Sequence, residues 1–83
     1  MNATQNARLS SLRPGEVAEI VSVDTDDPAL RNRLTALGFA PRTAIVAIRR
    51  APMGDPTEFE IRGARIALRR TESSQITIVQ VVR

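Results

Sequence analysis

The chain has 83 residues, enough for one domain around one core, and its 42% hydrophobic and 25% charged residues are ordinary values for a globular protein. It contains no Cys, His, Trp or Tyr, which removes thiol chemistry, imidazole general bases, disulfides and the soft ligands that most transition-metal sites use. All twelve basic residues are arginine, so the formal charge of +3 produces a pI near 11.3. Arginine keeps its proton to very high pH, and the modest excess describes a mixed-charge surface better than a polyanion-binding one.

Residues 1–8 are polar and patternless and read as a flexible leader, followed by a single domain over 9–83 that Leu9 and Leu12 anchor. The leader lacks the apolar run of a signal peptide, and no segment approaches the roughly 20 apolar residues of a membrane helix, which together point to the cytoplasm. Arg13-Pro14-Gly15-Glu16 is a turn signal before a strand from Glu16 to Val23. In that strand Ala18 and Ile20 share a face and Val23 falls out of phase, so a β-bulge is expected near Val21 and Ser22.

Asp24-Thr25-Asp26-Asp27-Pro28 opens a helix, with Asp27 as N-cap and Pro28 at the first helical position. The helix runs to Leu37, with Leu30, Leu34 and Leu37 inward at helical spacing. Gly38 is placed to be left-handed and Phe39 to close a Schellman motif over Leu34.

The next strand, Thr43 to Arg50, is apolar on both faces: Ile45 and Ala47 on one, Ala44, Val46 and Ile48 on the other. A small barrel has a core on one side only, so Val46 is either covered by another segment or part of a contact surface. The loop Pro52-Met53-Gly54-Asp55-Pro56 is a rigid hairpin connection that also could hold Met53 outward, with Gly54 suited to a type II turn. Thr57 to Ile61 alternates cleanly. A tight turn at Arg62-Gly63 would set Phe59 opposite Ile66 and Glu60 opposite Arg65. Arg70 to Ser74 reads as a short 3-10 or α turn, and Ile76 to Val82 as the last strand. The sum is a mainly β domain, a small SH3-like barrel of about five strands with one inserted helix, about Pro28 to Leu37, and a short turn before the final strand.

Arg33-Leu34, Leu37-Gly38-Phe39, the Pro41 turn, the Arg49 to Pro56 loop and Ile61-Arg62-Gly63, in this order and spacing, resemble the FeoA family of ferrous iron transport protein A domains, over about Ser11 to Val82. The resemblance implies an SH3-like barrel and a cytosolic accessory of bacterial ferrous iron uptake. Its implied partner is the membrane transporter FeoB or its GTP-binding domain, and through it the chain would be peripheral to the membrane. The same domain type stands at the C-terminus of metal-dependent repressors of the diphtheria-toxin-regulator class. An alternative is therefore a free-standing regulatory domain, whose mark would be a neighbouring winged-helix segment. The chain departs from the family at Arg42, where Gly is more usual, so the turn there is expected not to need a positive φ.

Asp24, Asp26 and Asp27 are the densest carboxylate cluster and the weak candidates for a divalent transition metal, although capping and the helix dipole already account for Asp27. No cofactor is required on this reading. Catalysis has no support, because Ser73 and Ser74 lack an imidazole and Glu58 and Glu60 point outward from a strand. The many arginines suggest an anion-binding barrel as a further alternative, but both Phe belong to the core, leaving no aromatic side chain for bases to stack on, and nucleic acid is not expected as a partner. The partner-binding residues expected are Arg31, Phe39, Arg42, Val46, Arg49, Arg50 and Met53, the arginines steering toward an acidic surface and Val46 and Met53 supplying apolar contact. Self-association into a weak homodimer is also compatible with an apolar outer strand.

Overall fold

The computed structural model describes residues 5–81. Six antiparallel strands form one curled sheet: β1 (Asn6–Arg8), β2 (Val17–Val23), β3 (Ala44–Arg50), β4 (Thr57–Ile61), β5 (Ala64–Leu68) and β6 (Ile76–Gln80), in the order β1-β6-β2-β3-β4-β5. A 3-10 turn (Leu9–Ser11) follows β1, helix α1 (Pro28–Ala36) lies between β2 and β3, and a one-turn helix α2 (Arg70–Ser73) precedes β6.

Local sequence explains most of these boundaries. Asp27 Oδ1 accepts the Ala29 N–H at 3.0 Å, and Pro28 occupies the first helical turn. At the other end the Phe39 N–H reaches the Leu34 carbonyl and the Gly38 N–H the Thr35 carbonyl, both at 3.0 Å, with Gly38 at φ +98°, which is the Schellman motif expected there. Leu30 and Leu34 are buried and Leu37 packs against the same core. Between Arg13 and Glu16 the turn closes at 2.9 Å with Gly15 at φ +90°.

The expected bulge is present, as a register shift between Ile20 and Ser22 where β2 meets β6. A second, between Ala47 and Arg49 opposite β4, was not foreseen. These shifts curl the sheet so that Ala18, Ile20, Ile45, Phe59, Ile61 and Ile78 converge inside with Leu34 of α1. Phe59 stands opposite Ile66 and Glu60 opposite Arg65, the register expected from the hairpin. Its two-residue turn has φ +52° at Arg62 and +82° at Gly63, the type I′ geometry that suits the twist of the flanking strands.

Three expectations are corrected. Among the described residues there are six strands where about five were expected: of the expected leader, Asn6–Arg8 instead form β1 by pairing with Thr77–Val79. Residues 1–4 of the expected leader, and Val82 at the expected end of the last strand, lie outside the described residues. In the β3–β4 loop the Gly54 N–H closes on the Ala51 carbonyl at 2.7 Å, so Pro52 and Met53 are the central residues and Gly54, at φ +90°, follows them. With no positive φ at Met53, the turn is not type II.

Arg42 is the third. It adopts φ +72°, because the connection into β3 must turn within one residue so that the Arg42 N–H reaches the Ile20 carbonyl at 2.7 Å and the Thr43 carbonyl receives the Ile20 N–H at 2.9 Å. An arginine held left-handed carries a backbone cost of about 1–2 kcal/mol. Arg42→Gly should therefore leave the fold intact and raise the denaturation midpoint by an amount worth about 0.5–1 kcal/mol, the remainder being lost to the greater freedom of unfolded Gly. Chemical denaturation of the two proteins side by side measures it.

Candidate functional site

An open groove of about 730 Å³ lies between the end of β3, the β3–β4 loop and β5. Arg49 and Arg50, Pro52 and Pro56, Glu58 and Arg65 line it, with Ile66 and Ala67 along one wall. The loop is stiffened from several sides. Its ends are joined by the Ala51 N–H and the Pro56 carbonyl at 2.9 Å, and Asp55 Oδ1 accepts the Arg70 N–H of α2 at 2.9 Å. At its tip Met53 is 94% exposed.

Charge is locally paired along this groove. Arg49 Nε donates to Glu58 at 3.0 Å, while Arg65 stands 3.9 Å from Glu58 and 3.7 Å from Glu60, beyond hydrogen-bond distance. Arg50, also exposed, donates to the Leu12 carbonyl at 3.3 Å.

The other expected partner-binding residues are distributed elsewhere. Arg31 donates to the Thr25 carbonyl at 2.6 Å and so braces the entry to α1. Phe39 is only 4% exposed and belongs to the core, because the Schellman motif turns it inward, so it is corrected from a contact residue to a packing residue. Arg42 is exposed on its tight turn. Val46 is half-buried on the outer face of the sheet, opposite the 42% exposed Val17 on one side and Glu60 on the other, and shares a shallow apolar surface with Ala44 and Arg62. Neither Val17 as its companion nor Arg65, Ile66 and Ala67 as groove residues was singled out from the sequence. Strand order, which a linear pattern does not carry, brings each of them into place.

The carboxylate cluster disperses. Asp24 accepts from Thr77 Oγ1, Ser22 and Arg8, and Asp27 caps α1. No group of three or more His, Cys, Asp or Glu side chains comes together among the described residues. Asp24 and Asp27 are thus occupied by protein donors, and the weak metal candidates do not fit a metal centre as arranged.

Thr77 and Ser22 hydroxyls, and then Arg8, hold the Asp24 carboxyl below the usual range. At Glu72 burial pushes upward, but the Arg69 N–H and the Arg33 guanidinium outweigh it and the net shift is downward. A depressed carboxylate contributes stability above its unfolded pKa and loses it as pH falls through the folded value, here below about pH 4. Amide exchange at Ala7 in β1 should accelerate in that window, because Arg8 and Asp24 bind β1 to its neighbours. Asp24→Asn should abolish the acid step in Ala7 protection, measured against the intrinsic exchange rate at each pH, and leave protection low throughout.

The FeoA domain model matches residues 7–80. The solution structure of the FeoA protein from Chlorobium tepidum is similar at 37% identity and a TM-score of 0.85, covering 92% of this chain and 71% of that one. FeoA of Stenotrophomonas maltophilia, solved in complex with zinc and described as a prokaryotic SH3-domain protein, shares 27% identity at a TM-score of 0.78 over 87% of this chain and 88% of that one. A manganese-dependent transcriptional repressor matches at a TM-score of 0.82 but 15% identity, over 98% of this chain and 45% of that one, which is a likeness of fold. No helix among the described residues is long and apolar enough to cross a membrane. With a small SH3-like architecture and a family match that extends from β1 to the end of β6, the chain belongs to the FeoA domain family, which is associated with ferrous iron transport.

Proposed function

We propose that this protein is a non-enzymatic, cytosolic accessory of ferrous iron uptake that acts by docking on the cytosolic part of the transporter FeoB, at or near its GTP-binding domain. Family membership supports the setting. The observation that carries the docking mode is Met53, 94% exposed at the tip of a loop whose ends and middle are tied down. A large apolar side chain held outward on a stiff loop loses little entropy on association, which is the economy of a contact anchor. Arg49, whose side chain is 79% exposed, lies at the loop's base and adds electrostatic steering.

The acidic groups are used structurally, which supports the non-enzymatic reading. Glu58 and Glu60 face Arg49 and Arg65, and Ser73 is buried while the Ser74 hydroxyl donates to the Thr71 carbonyl. The zinc bound to the Stenotrophomonas protein is a property of that chain.

The test is capture of the purified cytosolic domain of the transporter, with and without guanine nucleotide. Met53→Asp combined with Arg49→Ala should weaken binding at least tenfold, about 1.4 kcal/mol or more. Both positions are surface sites, so thermal stability should change by no more than about 0.5 kcal/mol. Undiminished binding by the double variant would reject the loop as the contact, and no binding of the parent protein in any nucleotide state would reject the transporter as the partner.

A further inference from the structure

Strand β5 ends the sheet: β4 pairs with it on one side and, among the described residues, no strand covers the other. The hairpin geometry determines what this edge offers. A two-residue turn makes its flanking pair, Ile61 and Ala64, a hydrogen-bonded pair, and bonded and non-bonded pairs then alternate along an antiparallel ladder. Phe59–Ile66 and Thr57–Leu68 are thus bonded pairs, whereas Arg65 and Ala67, opposite Glu60 and Glu58, turn their N–H and C=O groups away from β4. Both residues are exposed, and neither backbone has another partner among the described residues. The next residue of that series, Arg69, is already used: its N–H donates to Glu72 Oε1 at 3.0 Å and its carbonyl accepts from the Glu72 and Ser73 N–H groups at 2.9 Å.

The free edge therefore presents two complete donor–acceptor sets, and it runs along the wall of the groove between β3, the β3–β4 loop and β5. Three cations line that groove, Arg49, Arg50 and Arg65, against one carboxylate, Glu58. Arg65 is 60% exposed and its ion pairs are long, so its guanidinium is available to a new acceptor at little cost. Cations on an edge strand oppose pairing with a second copy of the same edge, since Arg65 would approach its own kind. The same cations favour an incoming strand that carries carboxylates. Ile66, half-buried on the opposite side of β5, lines the groove with Pro52 and Pro56 and gives alternate side chains an apolar seat.

We propose that β5 is a strand-addition site for an extended acidic segment of a partner protein, held by the main-chain groups of Arg65 and Ala67, with carboxylates meeting Arg49 and Arg65 and apolar residues entering beside Ile66 and the loop prolines. The proposal stands apart from the docking role of Met53, since any partner presenting such a segment would satisfy it.

The experiment uses the full chain and a fluorescein-labelled octapeptide of alternating glutamate and valine. Controls are the lysine–valine repeat and the glutamate–valine peptide N-methylated at alternate amides. The acidic peptide should bind at least tenfold more tightly than either control and should slow amide exchange at Arg65 and Ala67, with no such effect along β1. Arg65→Glu should weaken binding at least tenfold. Ala67→Pro removes an outward N–H and no ladder bond, so it should abolish binding while leaving the fold in place. The N-methylated peptide makes the same test without altering the protein.

Equal binding of the acidic and basic peptides, or of the N-methylated one, would overturn the proposal, as would protection confined to residues outside β5. Concentration-dependent protection of Arg65 and Ala67 without peptide, together with a dimer in sedimentation, would assign the edge to a second copy instead. Displacement of the peptide by a single-stranded oligonucleotide at the Arg65 and Ala67 amides would make it an anion groove, with the same consequence. Peptide binding by a parent protein that captures no transporter domain in any nucleotide state would leave this proposal standing and remove the other.

Discussion

Phe59→Ala is expected to destabilise the protein by about 3–5 kcal/mol, the usual cost of emptying an aromatic site in a packed core. Phe59 is 1% exposed in the middle of β4, with β3 on one side and β5 on the other. A domain of this length has only about 4–12 kcal/mol in total, so the variant should lie near its unfolding threshold at 25 °C. Urea denaturation followed by circular dichroism would measure the change. A loss below about 1 kcal/mol would mean that Phe59 is not the centre of the core. Phe59→Leu, which keeps much of the volume, should recover most of the stability and thereby separate packing from any change in the β4–β5 ladder.

The second large effect is expected at Gly38. Its φ of +98° is unfavourable for any L side chain, and an added Cβ would also run into the Cγ and Cδ of Arg62, whose stem crosses the end of α1 from the β4–β5 hairpin. Gly38→Ala should cost about 1–2 kcal/mol from the backbone alone, with a further loss from displacing Arg62. The two contributions are separable in a double-mutant cycle with Arg62→Ala. Removing the Arg62 stem should restore the steric part and leave the backbone part. If the two substitutions were strictly additive, the contact between Gly38 and Arg62 would carry no energy.

That contact illustrates which features were legible in the chain. The helix was readable because all its signals are local: Asp27 caps it, Pro28 starts it, and Gly38 with Phe39 ends it within one Schellman motif. The β4–β5 register was readable for the same reason, since two residues with positive φ connect strands whose apolar residues then match. Arg62 also packs on Gly38, which no neighbouring residue in sequence announces. The left-handed Arg42 contradicted the reading of its side chain, because the constraint is imposed by Ile20 in another strand. Strand β1 was missed because its three residues have no apolar pattern of their own. They become a strand by pairing with β6, helped by Arg8 reaching Asp24 and Thr77.

The candidate site divides in the same way. Met53 between prolines was identifiable as an exposed, stiffly held residue from the turn chemistry of its own loop. Phe39 was selected for contact and serves the fold through burial, while Arg31 is exposed and donates to the Thr25 carbonyl. The groove at β5 needed residues from β3, β4, β5 and the intervening loop to converge, and its free main-chain groups depend on which strand ends the sheet.

Sequence by itself determined the mainly β fold class, the capped helix, the hairpin register and the family, because caps, turn residues and short-range alternation act within a few residues. Only the tertiary structure decided the sixth strand, the left-handed Arg42, the inward Phe39 and the open edge at Arg65 and Ala67. Those features arise from pairing between segments distant in the chain, where the neighbour that a residue meets, rather than its own propensity, sets its conformation and exposure.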